Sequence, residues 1–429
     1  MLHSGTMRKR WFFAGLVLML LTENAFALSE GGFEKLHIFS KVLNQVEKNY
    51  VEKVDDGQLV QNAIRGMLSQ LDPHTVYMPP SAYKELRVDT AGKFGGVGIE
   101  VWVKEGWLTV VAPIEGTPAE RAGIKAGDKI IKIDGTPTRE LDLSEAVLKM
   151  RGKIGSKLTL TIVRDDPKRP FEVILARETI KVPSLRSEIL DKEYGYVKIR
   201  SFQERVAKDL KKELTKFAKE GALKGLILDM RDNPGGLLEE AVEVTDLFLE
   251  NGVIVTTESR GHEVDRREAV KEGTQENYPI IALVNGGTAS AAEIVAGALQ
   301  DHVRAAVLGT ATFGKGSVQT VIEMDDGSAL KLTIALYFTP KGRSIQAHGI
   351  NPDIIVEEQP PDAAVKADKK IREEDLPGHL EVPSERIEAA KSPTLVSAAG
   401  KVDHQKKVAL DYLKSWEIFR SGSQNDNSN

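Results

Sequence analysis

Residues 280–299 read IIALVNGGTASAAEIVAGAL, and the fold turns on how they are read. Ile280-Ile281-Ala282-Leu283-Val284 is an unbroken apolar run, the pattern of a strand buried on both faces. Asn285-Gly286-Gly287-Thr288-Ala289 is turn chemistry, and the small residues from Ala291 to Leu299 predict a helix. Strand, glycine turn, Ser290 and helix together form the local geometry of a nucleophile elbow, although the G-x-S-x-G pattern is absent. Such an elbow exposes the hydroxyl and aims the N–H of Ala291 at a developing oxyanion. Taken alone, a serine in this position is as well explained as an N-cap.

Outward from that stretch, apolar runs at Tyr196 to Ile199, Leu226 to Met230 and Ala306 to Leu308 alternate with helical patterns, which predicts an α/β layer structure. Leu330 to Phe338 predicts a further long strand. Asp229-Met230-Arg231-Asp232-Asn233-Pro234-Gly235-Gly236 is a second glycine turn, again after a strand and before a helix, expected over Leu237 to Leu249. The N–H of Gly235 or of Gly236 is placed to form the other half of an oxyanion hole. A tight turn at a helix N-terminus explains the same residues without any chemistry.

A serine nucleophile needs a base. His37, His74, His262, His302, His348, His379 and His404 stand singly, with no acidic partner patterned around them. Lys315 lies in Thr312-Phe313-Gly314-Lys315-Gly316, between the strand ending at Leu308 and one starting near Val318. Flanking glycines let such a lysine lie close to other backbone and become partly buried, which disfavours the ammonium. Moving its pKa from about 10.4 to about 7–8 costs roughly 3–5 kcal/mol, within reach of a packed core. An exposed loop lysine is the plain alternative. Gly309 to Lys315 also spells G-x-x-x-x-G-K, but Gly316 stands where a phosphate-binding loop needs Ser or Thr, and the segment runs on as a strand. Nucleotide binding is therefore set aside.

Over residues 92–178 the texture changes to short β-branched runs separated by glycine. Gly95-Gly96-Val97-Gly98-Ile99-Glu100-Val101 leads into a strand, and Leu108 to Val111, Lys129 to Ile133 and Lys157 to Val163 predict others. Thr117-Pro118 reads as an N-cap with proline at N1, and a second helix is expected near Ser144 to Met150. This order of parts resembles a PDZ domain. The resemblance implies that Gly96, Val97, Gly98 and Ile99 present backbone N–H groups to a peptide's C-terminal carboxylate while the peptide adds as a strand to the sheet edge. A glycine-rich hairpin of a small β domain is the alternative. Arg151-Gly152, between the second helix and the last strand, is where a charge is able to sense an occupied groove; a solvated arginine before a turn explains it equally.

The ends of the chain carry different signals. Arg8, Lys9 and Arg10 precede an apolar run from Trp11 to Leu21, and Ala25-Phe26-Ala27 follows. That is the order of a secretory signal, expected over 1–27 with cleavage after Ala27; the run is shorter than the ~20 residues of a membrane span. An uncleaved anchor is the alternative, and Met7 is a plausible initiator. Residues 28–85 carry helical spacing twice, at Phe39 to Tyr50 and Leu59 to Leu71, and helices this short must pack on the main body or on another subunit. Beyond 360 the chain is polar up to a last helix expected around Val408 to Phe419, with a disordered tail from Ser421. A hydrophobic share of 41% and a charged share of 28% exclude disorder for the bulk. The net charge of −5 comes without any large Lys/Arg block, which excludes a nucleic-acid footprint. With no cysteine, disulfides and thiol catalysis are excluded too.

Three ordered motifs complete the reading: Arg231 to Gly236, Gly287-Thr288-Ala289-Ser290-Ala291-Ala292-Glu293-Ile294, and Phe313-Gly314-Lys315-Gly316-Ser317-Val318-Gln319. They resemble the signatures of the carboxy-terminal processing (tail-specific) proteases, and the likeness extends over Leu71-Asp72-Pro73-His74-Thr75 and the PDZ-like module. Thr288 and Ala292 stand where serine is common in that family. The resemblance implies Ser290 as nucleophile, Lys315 as base and Gln319 as the residue orienting the lysine. It puts oxyanion donors at Ala291 and at Gly235 or Gly236, and Asp301 in a supporting role. It further implies a multidomain α+β and α/β protein: a helical N-terminal region, a sandwich-like PDZ domain with two helices, and a crotonase- or Clp-protease-like core over 179–360, with 361–429 appended. Neither metal nor cofactor is called for. The expected partners are protein substrates with exposed C-termini, further copies of the chain and an adaptor, in the periplasm or cell envelope. A catalytically silent PDZ scaffold and a crotonase-like acyl-thioester enzyme are the rivals.

Overall fold

The computed structural model describes residues 30–164, 169–221, 223–358, 371–381 and 403–426. The expected signal segment 1–27 lies outside the described residues. The chain forms two compact units, one up to Met67 and one from Leu68 onward. In the first, the helices Glu30–Asn49 and Asp56–Leu68 leave Phe33, Leu36, Phe39, Val42 and Val60 exposed.

The second unit holds a small antiparallel sheet and a layered core. The small sheet runs in the order Ile99–Lys104, Trp107–Pro113, Lys129–Ile133, Lys157–Val163, Phe171–Ala176. Alternation along Lys157–Val163 turns Leu158, Leu160 and Ile162 into a core with Val110, Ile130 and Ile133. The helix Leu143–Met150 starts on a reciprocal cap between Asp142 and Glu145. Arg177, buried, fastens its other end by donating to the carbonyls of Lys149 and Met150. Thr117 does not cap the turn of helix Pro118–Arg121 as expected. Its hydroxyl donates instead to the carbonyls of Ile114 at 2.6 Å and Gly98 at 3.2 Å, stitching the glycine loop to the following strand. The ribbon formed by Lys93–Gly96 and Glu178–Lys181 joins the two ends of this module.

The core sheet begins with the antiparallel pair Leu185–Leu190 and Tyr194–Ile199. It continues in parallel through Gly225–Asp229, Ile280–Val284, Ala306–Gly309 and Ile354–Ile355. Its central strands are buried along their whole length, as the unbroken apolar runs require. Leu226, Leu228, Ile280, Ala282 and Val284 face helices Val206–Lys219, Leu238–Asp246 and Ala291–Asp301. The alternate residues Ile227, Ile281 and Leu283 face Ala409 and Leu413 of helix His404–Asp426. The core therefore extends beyond 360, because one face of its sheet is covered by the terminal helix. That helix also runs past the end expected at Phe419: no proline stops it, and Gly422 alone costs only ~1 kcal/mol. A second sheet packs Val76–Met78, Ala329–Phe338, Val253–Ser259 and His262–Glu268 in that order, with Ser317–Glu323 paired to Ala329–Phe338. The segment after Leu71 thus ends as a strand of the main unit.

Candidate active site

Gly225–Asp229, Ile280–Val284 and Ala306–Gly309 are adjacent parallel strands, and each of the three glycine motifs leaves the carboxyl end of one of them. Parallel strands bring their loops to one edge of the sheet, the place where α/β folds build sites. The first two turns are stitched together. Thr288 Oγ1 accepts from the N–H of Asn285 and donates to the carbonyl of Met230. Asn285 Nδ2 donates to Asp232, and Ala289 N donates to the carbonyl of Asn233.

Ser290 follows, at φ 54 and ψ −118, a left-handed conformation that side chains seldom adopt. Gly235 is packed against it. A Cβ on Gly235 would lie 2.8 Å from that of Ser290 and 2.9 Å from the N of Ala291. The N–H of Gly235 donates to Asn233 Oδ1 at 2.9 Å. The N–H groups of Gly236 and Ala291 have no acceptor among the described residues.

Glu293 ties the serine to the lysine. Three residues into the helix and fully buried, it accepts from the N–H of Ser290 at 2.7 Å and from the N–H of Lys315 at 2.9 Å through Oε2. Through Oε1 it accepts from Gly314 N at 2.8 Å and Thr312 Oγ1 at 2.5 Å. Burial pushes its carboxyl up to about 7, against the pull of those four donors. S-x-x-E at a helix start is capping-box spacing, the signal from which the sequence could have revealed this role.

Lys315 is largely buried. Desolvation first, and then the neighbouring ammonium of Lys331, push its pKa down to about 8, while Glu373, Glu293 and Asp72 pull it up. Among the described residues Gln319 makes no hydrogen bond to the lysine. Its Nε2 donates to Ser317 Oγ at 2.7 Å and to Thr333 Oγ1 at 3.4 Å, and Thr333 in turn donates to Asp72. Asp301 lies at the far end of the helix that begins beside Ser290, ~15 Å along its axis. There it binds Arg343 and the N–H of Lys341, so its part is to hold that loop. His302, next to it, donates to or accepts from nothing in the site; its Nε2 lies 2.7 Å from the carbonyl of Val253.

In the small module Gly96 ends the ribbon strand, and the N–H groups of Val97 and Gly98 have no acceptor among the described residues. Gly98 has φ +77, and a Cβ there would strike Thr117 at 2.4 Å. Ile99 opens the outermost strand of its sheet. Arg151 is not a solvated arginine: its guanidinium lies 4.5 Å from the Phe94 ring centroid, and its buried Nε has no acceptor among the described residues. Among the described residues no cluster of His, Asp or Glu is arranged to hold a metal, and no helix is long and apolar enough to cross a membrane.

Serine, buried lysine and orphan amides at one sheet edge, in a chain that also carries a small antiparallel module, fit a serine-type peptidase with a PDZ domain. Family models agree: peptidase family S41 matches residues 193–356, a PDZ domain 109–164, and the N-terminal domain of the activating protease CtpB 20–82. The carboxy-terminal-processing protease of Bartonella bacilliformis is 43% identical over 386 residues, 89% of each chain. Carboxy-terminal processing protease CtpA of Bacillus subtilis is 38% identical over 376 residues, 86% of this chain and 79% of that one. The solved photosystem II D1 C-terminal processing protease shares 30% identity over 75% of this chain and 92% of its own, with a TM-score of 0.45. The chain belongs to the carboxy-terminal processing proteases of peptidase family S41.

Proposed function

We propose that this protein is an exported endopeptidase that takes the C-terminal tails of cell-envelope proteins into its PDZ groove and cuts them with a Ser290–Lys315 dyad. The observation that carries the reading is the Glu293 carboxylate, one oxygen of which binds the N–H groups of both residues. Neutral Lys315 takes the Ser290 proton as Oγ attacks the scissile carbonyl. The oxyanion is met by the N–H of Ala291 and, since Gly235 is committed to Asn233, by that of Gly236. The lysine then gives its proton to the leaving amine, and water, deprotonated by the same lysine, releases the acyl-enzyme. For Gln319 to orient the lysine, its Oε1 would accept from the lysine nitrogen while Nε2 stays on Ser317 and Thr333.

The free N–H groups at Val97 and Gly98 and the outer edge of Ile99–Lys104 support binding of a carboxylate-ended strand. Arg8 to Ala27 supports export. The exposed apolar residues of the first two helices support assembly with further copies or an adaptor. Cleavage of an unfolded protein tests the dyad: Ser290→Ala and Lys315→Ala must each abolish it while remaining folded, and wild-type turnover by Lys315→Ala would refute the dyad. Cell fractionation with N-terminal sequencing tests export.

A further inference from the structure

A second buried carboxylate reaches the Lys315 turn from far along the chain. Segment 371–381 lies across that turn, and its Glu373 is fully buried. The backbone N–H of Glu373 donates to the carbonyl of Phe313 at 3.1 Å, two residues before the lysine. Its Oε1 accepts from Gln346 Nε2 at 2.9 Å, and Gln346 Oε1 accepts from the N–H of Gly316 at 3.0 Å, one residue after the lysine. His74 Nε2 lies 2.9 and 2.8 Å from the two carboxylate oxygens. The turn is thereby held on both sides of Lys315 by one residue: through its backbone N–H at Phe313 and, by way of Gln346, through its carboxylate at Gly316, with His74 fixing that carboxylate.

We propose that Glu373 is a positioning residue for Lys315: it fixes the turn that presents the lysine, and its negative charge sets the pH at which the lysine acts as a base. The inference rests on the Ser290–Lys315 reading. A fully buried carboxylate is costly, and a glutamine could make most of the same hydrogen bonds, so the charge itself calls for a use. Four elements bring charged groups to bear on Lys315: Glu293 from the elbow helix, Lys331 from strand Ala329–Phe338, Asp72 from the segment before Val76, and Glu373. Glu373 faces His74 and Lys315, with Gln346 as its neutral partner. Burial raises its pKa, but hydrogen bonds from His74 and Gln346 and the charges of His74 and Lys315 outweigh that and leave it lowered, so it stays ionised at neutral pH. It is the foremost of the groups favouring the charged lysine, against Lys331 and desolvation. Besides the charge of Asp72, the 71–75 segment serves both Glu373 and Gln319. His74 holds Glu373, and Asp72 holds Thr333 and through it Gln319.

The test is the pH dependence of kcat/KM for the full chain on an unfolded protein substrate. In Glu373→Gln the acid limb should move to lower pH by about one unit, because a nearby opposite charge has been removed from the lysine. Glu373→Ala, which also releases Gln346 and with it the Gly316 side of the turn, should fall about tenfold or more below Glu373→Gln at the alkaline plateau. A Glu373→Gln limb that coincides with the wild-type one would overturn the proposal. Should that variant not fold, His74→Leu probes the same contact: with that donor lost, the carboxylate is left to Gln346 and Lys315, and the limb must move to higher pH. An unmoved limb there would overturn it as well. Lys315→Ala separates the two ideas. If it is inactive while the other variants leave the limb in place, only the role of Glu373 falls; if it is active, the dyad falls and this inference with it.

Discussion

Replacing Lys315 with methionine removes an ammonium that the fold holds at a disadvantage, and the gain in stability should depend on pH in a calculable way. The group is moved from its ordinary 10.5 to about 8, chiefly by desolvation. At ~1.4 kcal/mol per pH unit this corresponds to about 3 kcal/mol. The folded state binds fewer protons than the unfolded state between pH 8 and 10.5, so wild-type stability rises across that window, and below pH 8 the full penalty is present. Methionine, similar in length and without charge, carries no such penalty. Urea titrations of both proteins at pH 7, 9 and 10.5 should show Lys315→Met more stable by up to about 3 kcal/mol at pH 7, less any packing loss. The gap should close by a similar amount toward pH 10.5. Tyrosines and surface lysines away from the site titrate in both proteins and drop out of the difference. Parallel stability curves over that range would show that Lys315 is not held deprotonation-ready, and would refute the account of the base.

Glu293→Gln should destabilise the protein by about 3 kcal/mol in urea denaturation and cut activity severely, since an amide nitrogen would face backbone donors now satisfied by carboxylate. Gly98→Ala should weaken binding of a labelled peptide with a free C-terminus at least about tenfold by fluorescence anisotropy, since its Cβ would meet Thr117 and the loop would have to shift. Arg151→Ala, which loses the stack on Phe94 in the ribbon joining the module's ends, should bind such a peptide normally. It should cleave about 5- to 150-fold more slowly, and equal rates at saturating substrate would end that role. A metal chelator should leave activity unchanged; loss restored by zinc would replace the dyad with metal chemistry.

What the sequence reveals here follows the range of the interactions. Lys129–Ile133, Lys157–Val163 and Ile280–Val284 have the bounds expected, because alternation and unbroken apolar runs are local patterns. Ser290 and Lys315 were legible because each sits in a glycine turn at the end of such a run. Helix Val206–Lys219 is legible by the same local rule, with Val206, Leu210, Leu214 and Phe217 on one buried face and lysines on the exposed one. The hairpin Val253–Ser259 and His262–Glu268 escaped because the outer strand, HEVDRRE, is almost wholly polar. The surroundings of the lysine were the least legible. His74 meets Glu373 across 299 residues, and no local pattern marks either as a partner of the other. Asp301 owes its expected supporting part to the family resemblance; in the structure a helix separates it from Ser290, and it binds the 341–343 loop.

The backbone at Ser290 has a consequence for how such a protein can change over generations. At φ 54 and ψ −118 only glycine is at ease, and any other residue is held there at ~1–3 kcal/mol of strain. Glycine at position 290 would therefore make a more stable protein. Selection for stability and selection for the hydroxyl pull in opposite directions at this one codon, and a serine-to-glycine change needs a single base in some serine codons. Lineages released from the need to cut would be expected to lose this serine early and keep the turn around it, leaving a sturdier relative with an intact peptide groove and no blade.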